Sequence, residues 1–202
     1  MSESRSPRIV LVRHGETEWS RDGRHTGRAD IPLTDRGREE ARTLRAALAG
    51  FRFARVLVSP LQRARETCAL AGLGEHAEPC PDLMEWDYGD DEGLTYAEIR
   101  ERRPEWVLWR DGCPGGETPD DVAARADAVL AGVRETDGDV ALFSHGHLLR
   151  VLGSRWIEQP AAFGAHLMLD TAAVSVLSAE RGITALERWN DAGHLAAEQR
   201  PA

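Results

Sequence analysis

Arg8-Ile9-Val10-Leu11-Val12 is an arginine followed by four apolar residues, three of them β-branched, and the run stops abruptly at Arg13-His14-Gly15. It is too short for a buried helix and suits a strand covered on both faces. Two more runs have the same form. Val56-Leu57-Val58 stops at Ser59-Pro60-Leu61-Gln62-Arg63, and Asp139 to Phe143 stops at Ser144-His145-Gly146-His147. Helical spacing fills the intervals. Thr34 to Leu48 repeats Ala41, Leu44, Ala47 and Leu48 behind a threonine cap and ahead of Gly50. Ser59-Pro60 predicts a capped helix to about Ala71, and Thr118-Pro119-Asp120-Asp121 one reaching Arg134. A fourth helix is expected from about His147 to Trp156, with short patches at Ala97 to Arg102 and Glu105 to Trp109. Val174 to Leu177 and Ile183 to Leu186 read as a hairpin across Glu180-Arg181-Gly182.

Strands alternating with helices predict an α/β fold of three layers, α/β/α, around a mostly parallel, doubly wound sheet with the hairpin as an antiparallel edge. One domain is expected over residues 1–202, with an ordered core over about 8–190 and a loose tail over 191–202. Arg13 to Pro32 and Gly72 to Thr95 read as loops, the second irregular and acidic.

The bulk numbers restrict the function. A net charge of -9 with no basic stripe argues against a nucleic-acid partner. No apolar run approaches the roughly 20 residues a membrane helix needs. The N-terminus lacks the apolar stretch of a secretory signal, and Cys68, Cys80 and Cys113 are sparse and unpaired in spacing, so a reducing cytoplasm is expected. Oligomeric state is left open.

Ligands bind at the carboxyl ends of strands in such sheets. Arg13, His14, Arg63 and His145 would then meet at one mouth. A phosphate monoester needs its charge neutralised, a nucleophile and an acid for the leaving alkoxide. Arginine forks match phosphate oxygens, and a neutral imidazole attacks near neutral pH. The acidic loop offers carboxylates, notably Glu85. A lone histidine at a strand end is more often structural. Two at converging ends, each followed by glycine and near an arginine, favour catalysis. His147 could pair with His145 on a metal, but neither Cys113 nor His25 has ligand spacing, and no metal or other cofactor is expected.

Leu11-Val12-Arg13-His14-Gly15-Glu16-Thr17 resembles the R-H-G motif of the histidine phosphatase superfamily, which includes cofactor-dependent phosphoglycerate mutase. Thr26-Gly27, Pro32 to Gly37, Ser59 to Thr67, and Ser144 to His147 resemble its later motifs in the same order. The resemblance implies that His14 is the phosphorylated nucleophile. It implies a phosphate clamp of Arg13, Arg63 and His145, with the Gly146 N–H as an extra donor, and Glu85 as proton donor and later base. Ser20, Thr26 and Gly27 are carried as substrate-binding candidates; many members have Asn where Ser20 stands, and a serine hydroxyl can still donate one hydrogen bond.

Asp87 to Thr95 and Trp109 to Glu117 resemble the phosphatase branch, especially acid-phosphatase-like and sugar-bisphosphatase members. The expected partner is a small phosphorylated metabolite. A mutase is the alternative: Arg102-Arg103 mimics an arginine pair of mutases, but Pro104-Glu105-Trp106 departs from that pattern. A non-catalytic phospholigand-binding module is the second alternative, disfavoured because His14, Glu85 and His145 are all present.

Overall fold

The computed structural model describes residues 7–196. Its strands are β1 (Ile9–Arg13), β2 (Phe53–Val58), β3 (Ala77–Pro79), β4 (Asp139–Ser144), β5 (Val174–Glu180) and β6 (Ile183–Asp191). They form one sheet in the order β3-β2-β4-β1-β5-β6. β1 runs parallel to β4, and β2 is parallel to both β4 and β3. β5 is antiparallel to β1 and β6 to β5, so the hairpin is the expected antiparallel edge. It turns at Arg181 (φ 52°) and Gly182 (φ 80°), two left-handed residues of the kind that match strand twist in a tight hairpin.

The helices are α1 (Glu18–Arg21), α2 (Asp35–Leu48), α3 (Gln62–Leu70), α4 (Tyr96–Arg102), α5 (Leu108–Asp111), α6 (Pro119–Arg134), α7 (Gly146–Trp156) and α8 (Gly193–Ala196). Alternation along β1 sorts the layers. Ile9 and Leu11 face a core built with Val122, Val129 and Leu130 of α6 and Leu149 and Leu152 of α7. Val10 and Val12 face Leu44 and Leu48 of α2 and Ala64 and Cys68 of α3. Burying each large aliphatic side chain contributes about 1.5–3 kcal/mol, which is why both faces of this short strand are apolar. Among the described residues no helix is long and apolar enough to cross a membrane.

Several expectations need correction. Thr17 and Ser20 form a capping box that makes α1 inside the stretch read as loop. β3 was also absent from the sequence reading. α3 starts at Gln62, later than Ser59-Pro60 suggests; its Leu61 cap has no side-chain bond, and Asp30 Oδ1 accepts the Gln62 N–H at 2.7 Å instead. α5 lies at Leu108–Asp111 and not at Glu105 to Trp109. The tail begins late: Asp191 ends β6, α8 follows, and Leu195 packs on the α2/α3 face of the core. The rest of the expected tail, 197–202, lies outside the described residues.

Candidate active site

The parallel register of β1 and β4 sets Arg13 beside Ser144, so the next residue on each chain, His14 and His145, leave the sheet side by side. Their ring centroids are 5.2 Å apart with planes tilted by 58°. The His14 amide donates to the Ser144 carbonyl at 3.0 Å, tying the two strand ends together. Gly15 follows because a Cβ there would meet the Gly37 carbonyl oxygen at 2.3 Å. The chain therefore leaves β1 packed backbone to backbone against the first turn of α2. The Gly15 N–H also donates to Thr67 Oγ1 of α3 at 3.0 Å.

His14 Nδ1 lies 2.7 Å from the Gly15 carbonyl oxygen. A carbonyl only accepts, so Nδ1 carries the proton and Nε2 keeps its lone pair. The ring is buried, and burial first, then the Arg63 and Arg13 charges, push its pKa well below the ordinary value. A neutral imidazole with a fixed tautomer results, with its unprotonated nitrogen at Nε2.

Arg63 is fully buried and grips its surroundings with four N–H groups. Nε donates to His145 Nδ1 at 3.1 Å, Nη1 to the Ala29 carbonyl at 2.8 Å, and Nη2 to the Thr26 and Gly27 carbonyls at 3.1 and 2.9 Å. Since Arg63 can only donate, His145 Nδ1 is an acceptor, and its Nε2–H donates to Ser59 Oγ at 2.7 Å. Burial and the Arg63 charge hold His145 neutral by lowering its pKa. The loop whose carbonyls hold Arg63 is held in turn by Glu92. Its Oε1 accepts the Gly27 and Ala29 N–H groups at 2.8 and 3.0 Å, and Oε2 accepts that of Arg28 at 3.3 Å.

A cleft of about 300 Å³ opens over His14. Arg13, Ser20, Thr26, Glu85 and Gly146 line it; Arg63, His145 and Gly27 do not. Arg63 and His145 are instead fully buried, His145 with its ring against that of His14 and Arg63 close enough for its charge to act on His14. The Arg13 guanidinium lies against Gly146, donates to the Leu169 carbonyl at 2.6 Å, and keeps a buried Nε with no acceptor among the described residues. Such an unsatisfied cationic donor is suited to an anionic oxygen. Gly146 opens α7 at the cleft, where the partial positive charge of a helix N-terminus favours an anion.

Glu85 Oε1 accepts the N–H groups of Trp86 and Leu148, both at 2.9 Å, and Oε2 accepts that of His147 at 3.0 Å. The carboxyl thus caps α7 as well as lining the cleft, and Oε2 is the less committed oxygen. The Ser20 hydroxyl is spent locally, donating to the Thr17 carbonyl at 3.0 Å, so its proton is not free for a ligand. Thr26 Oγ1 likewise donates to the Arg24 carbonyl at 3.1 Å.

His147 turns to Tyr88, whose hydroxyl is 2.5 Å from Nδ1. The sequence reading missed Tyr88, Glu92, Ser59 as a partner of His145, and Arg150. Arg150 had one available signal: it stands four residues after Gly146 on α7, hence on the same side of the helix.

A neutral imidazole near two arginines, beside a helix N-terminus and a carboxyl group, is an arrangement suited to handling a phosphoryl group. Residues 9–192 match the family model of the histidine phosphatase superfamily (branch 1), and the chain belongs to that family. It is 40% identical over 194 residues to an acid phosphatase of Mycobacterium tuberculosis, covering 94% of this chain and 95% of that one. It is 35% identical over 187 residues to sedoheptulose 1,7-bisphosphatase of Saccharomyces cerevisiae, covering 76% and 68%. The solved structure of an open reading frame product of M. tuberculosis superposes with a TM-score of 0.88 at 39% identity, covering 92% of this chain and 98% of that one.

Proposed function

We propose that this phosphatase hydrolyses small phosphate monoesters in two steps through a phosphohistidine on His14. In the first step the Nε2 lone pair attacks phosphorus, an N–P bond forms, and the ester P–O bond breaks. Glu85, protonated on Oε2, gives its proton to the leaving alkoxide. In the second step Glu85 takes a proton from water as that water attacks phosphorus, and the N–P bond breaks. Arg13 and the Gly146 N–H neutralise the phosphoryl oxygens, and Arg63 orients His145 and adds its charge from its buried position.

The observation that supports this most is the His14–Gly15 hydrogen bond, which leaves a lone pair on Nε2 beneath the cleft. The mutase reading lacks comparable support. Arg103 is paired with Asp91, Arg102 is exposed, and neither lines the cleft.

Rapid-quench labelling with a radioactive phosphate ester tests the proposal. Wild-type protein is expected to carry acid-labile, base-stable phosphate, and His14→Ala to carry none. Turnover of p-nitrophenyl phosphate by His14→Ala should fall by roughly three orders of magnitude or more, as for loss of a covalent nucleophile. Wild-type-like turnover by that variant would overturn the assignment.

A further inference from the structure

A charge interrupts the apolar stripe of α6. Arg125 stands three residues after Val122 and four before Val129, both buried, so it lies toward the core-facing side of the helix. Its side chain and that of Glu117 are each only 16% exposed, and they pair at 2.7 Å. Taking two charges out of water is costly, and well-packed apolar residues in their place are often equally stable. Stability alone therefore does not account for an arginine at this position.

The contacts of Arg125 converge on the segment that carries Glu85. Nη1 donates to the Asp82 and Met84 carbonyls at 2.8 and 3.0 Å, and Nη2 to the Glu85 carbonyl at 3.5 Å. The Leu83 carbonyl, between them, accepts from Ser144 Oγ at 2.7 Å. Every carbonyl from Asp82 to Glu85 is thus held from outside the segment. Nε and Nη2 of Arg125 also donate to the two Glu117 carboxylate oxygens at 2.7 and 2.8 Å. Glu117 carries the grip past Glu85. Its Oε2 accepts the Asp87 N–H at 2.8 Å, its carbonyl accepts Trp86 Nε1–H at 2.9 Å, and its own N–H donates to the Asp87 carbonyl at 2.9 Å.

This segment depends on such a hold. Residues 84–88 belong to no helix or strand, so no ladder satisfies their backbone groups or fixes their path. A guanidinium supplies five donors in a rigid fork, enough to span several carbonyls and a carboxylate at once; an ammonium is a point charge with three. The Glu85 carboxyl is meanwhile tied to α7 through the His147 and Leu148 N–H groups. Its backbone is therefore pinned by α6 and its carboxyl by α7. Proton transfer is sensitive to this placement, since a displacement of about 1 Å at a reacting group costs roughly a hundredfold in rate.

We infer that Arg125 is a positioning residue for proton transfer: by gripping the backbone of 82–85 and the Glu117 carboxylate, it holds the Glu85 carboxyl where the leaving oxygen departs. This rests on the reading of Glu85 as proton donor and adds the residue that sets its place.

Leaving groups separate positioning from folding. p-Nitrophenolate departs with little help, whereas an alkoxide needs the proton. The readout is kcat/KM for glycerol 3-phosphate divided by kcat/KM for p-nitrophenyl phosphate. This ratio reports the step in which the leaving group departs, and a loss of folded protein lowers both members equally. In Arg125→Lys, which keeps the charge and loses the fork, the ratio should fall about tenfold or more. In Glu117→Gln it should fall about threefold or more, as one hydrogen bond to a charged group is weakened. Glu85→Gln removes the acid itself and should lower the ratio by about a hundredfold. An Arg125→Lys ratio equal to wild type overturns the proposal, whether or not the absolute rates fall. Should that variant not fold, Glu117→Gln decides by the same criterion. An unchanged ratio in Glu85→Gln would instead sink the reading of Glu85 as the acid, and the role of Arg125 with it.

Discussion

The Nε–H of Arg63 donates to Nδ1 of His145 at 3.1 Å, and this one bond sets where the proton of the second histidine sits. With Nδ1 occupied as an acceptor, His145 carries its hydrogen on Nε2 and directs it to Ser59. The chain Arg63–His145–Ser59 is fully buried and holds the ring that packs against His14.

Ser59→Ala removes the last link. It leaves the Nε2–H of His145 buried with no acceptor, which costs about 1–3 kcal/mol. Urea unfolding should show that loss, and kcat for p-nitrophenyl phosphate should drop several-fold as the ring loses its fixed orientation. Unchanged stability and kcat together would show that Ser59 has no such role.

Glu92→Gln acts at one remove. The carboxylate holds three N–H groups of the 27–29 segment, and that segment supplies two of the carbonyls that grip Arg63, from Gly27 and Ala29. A glutamine keeps one oxygen but sets an NH2 group against a backbone donor. Bonds to a charged acceptor contribute about 1.5–3 kcal/mol each, so a loss of about 2 kcal/mol is expected. Amide exchange should quicken at Gly27 and Ala29, and kcat/KM should fall with it. Protection equal to wild type at those two amides would refute the link.

Stability should decline on the acid side of neutrality. His14, His145 and His147 are all held well below their ordinary pKa, by burial above all, with Arg63 the next cause for the first two and Arg150 for the third. The rings are neutral in the folded chain and charge in the unfolded chain below about pH 6.5. The unfolded state therefore binds more protons there, and their contribution is lost as pH falls through 6.5. Each ring contributes a slope of up to about 1.4 kcal/mol per pH unit, so three set a ceiling of about 4. Urea unfolding at pH 7.5, 6.5 and 5.5 measures it. A flat unfolding free energy from 6.5 to 5.5 would contradict the buried, neutral rings.

Much of the sheet was legible because β1, β2 and β4 are short apolar runs with polar ends, and two of the long helices carry side-chain caps, Thr34 on α2 and Thr118 with Asp121 on α6. β3 was not legible. Its three residues, Ala-Glu-Pro, are mostly exposed and become a strand only by pairing with β2. The start of α3 was misplaced for a similar reason: its first N–H is satisfied by Asp30, 32 residues earlier in the chain, which no local pattern reveals.

Local chemistry along the chain decided which residues could do the work: a strand ending in Arg13-His14-Gly15, another ending in Ser144-His145-Gly146, and an arginine in the first turn of the helix after β2. Tertiary structure decided what each one does. Strand register set the two imidazoles 5.2 Å apart, and packing committed Arg63 to loop carbonyls while leaving Arg13 and Arg150 open to the cleft. The reason is that a residue's type and its place on an element follow from neighbours in sequence, whereas its hydrogen-bond partners and its counter-charge come from segments that only folding brings near.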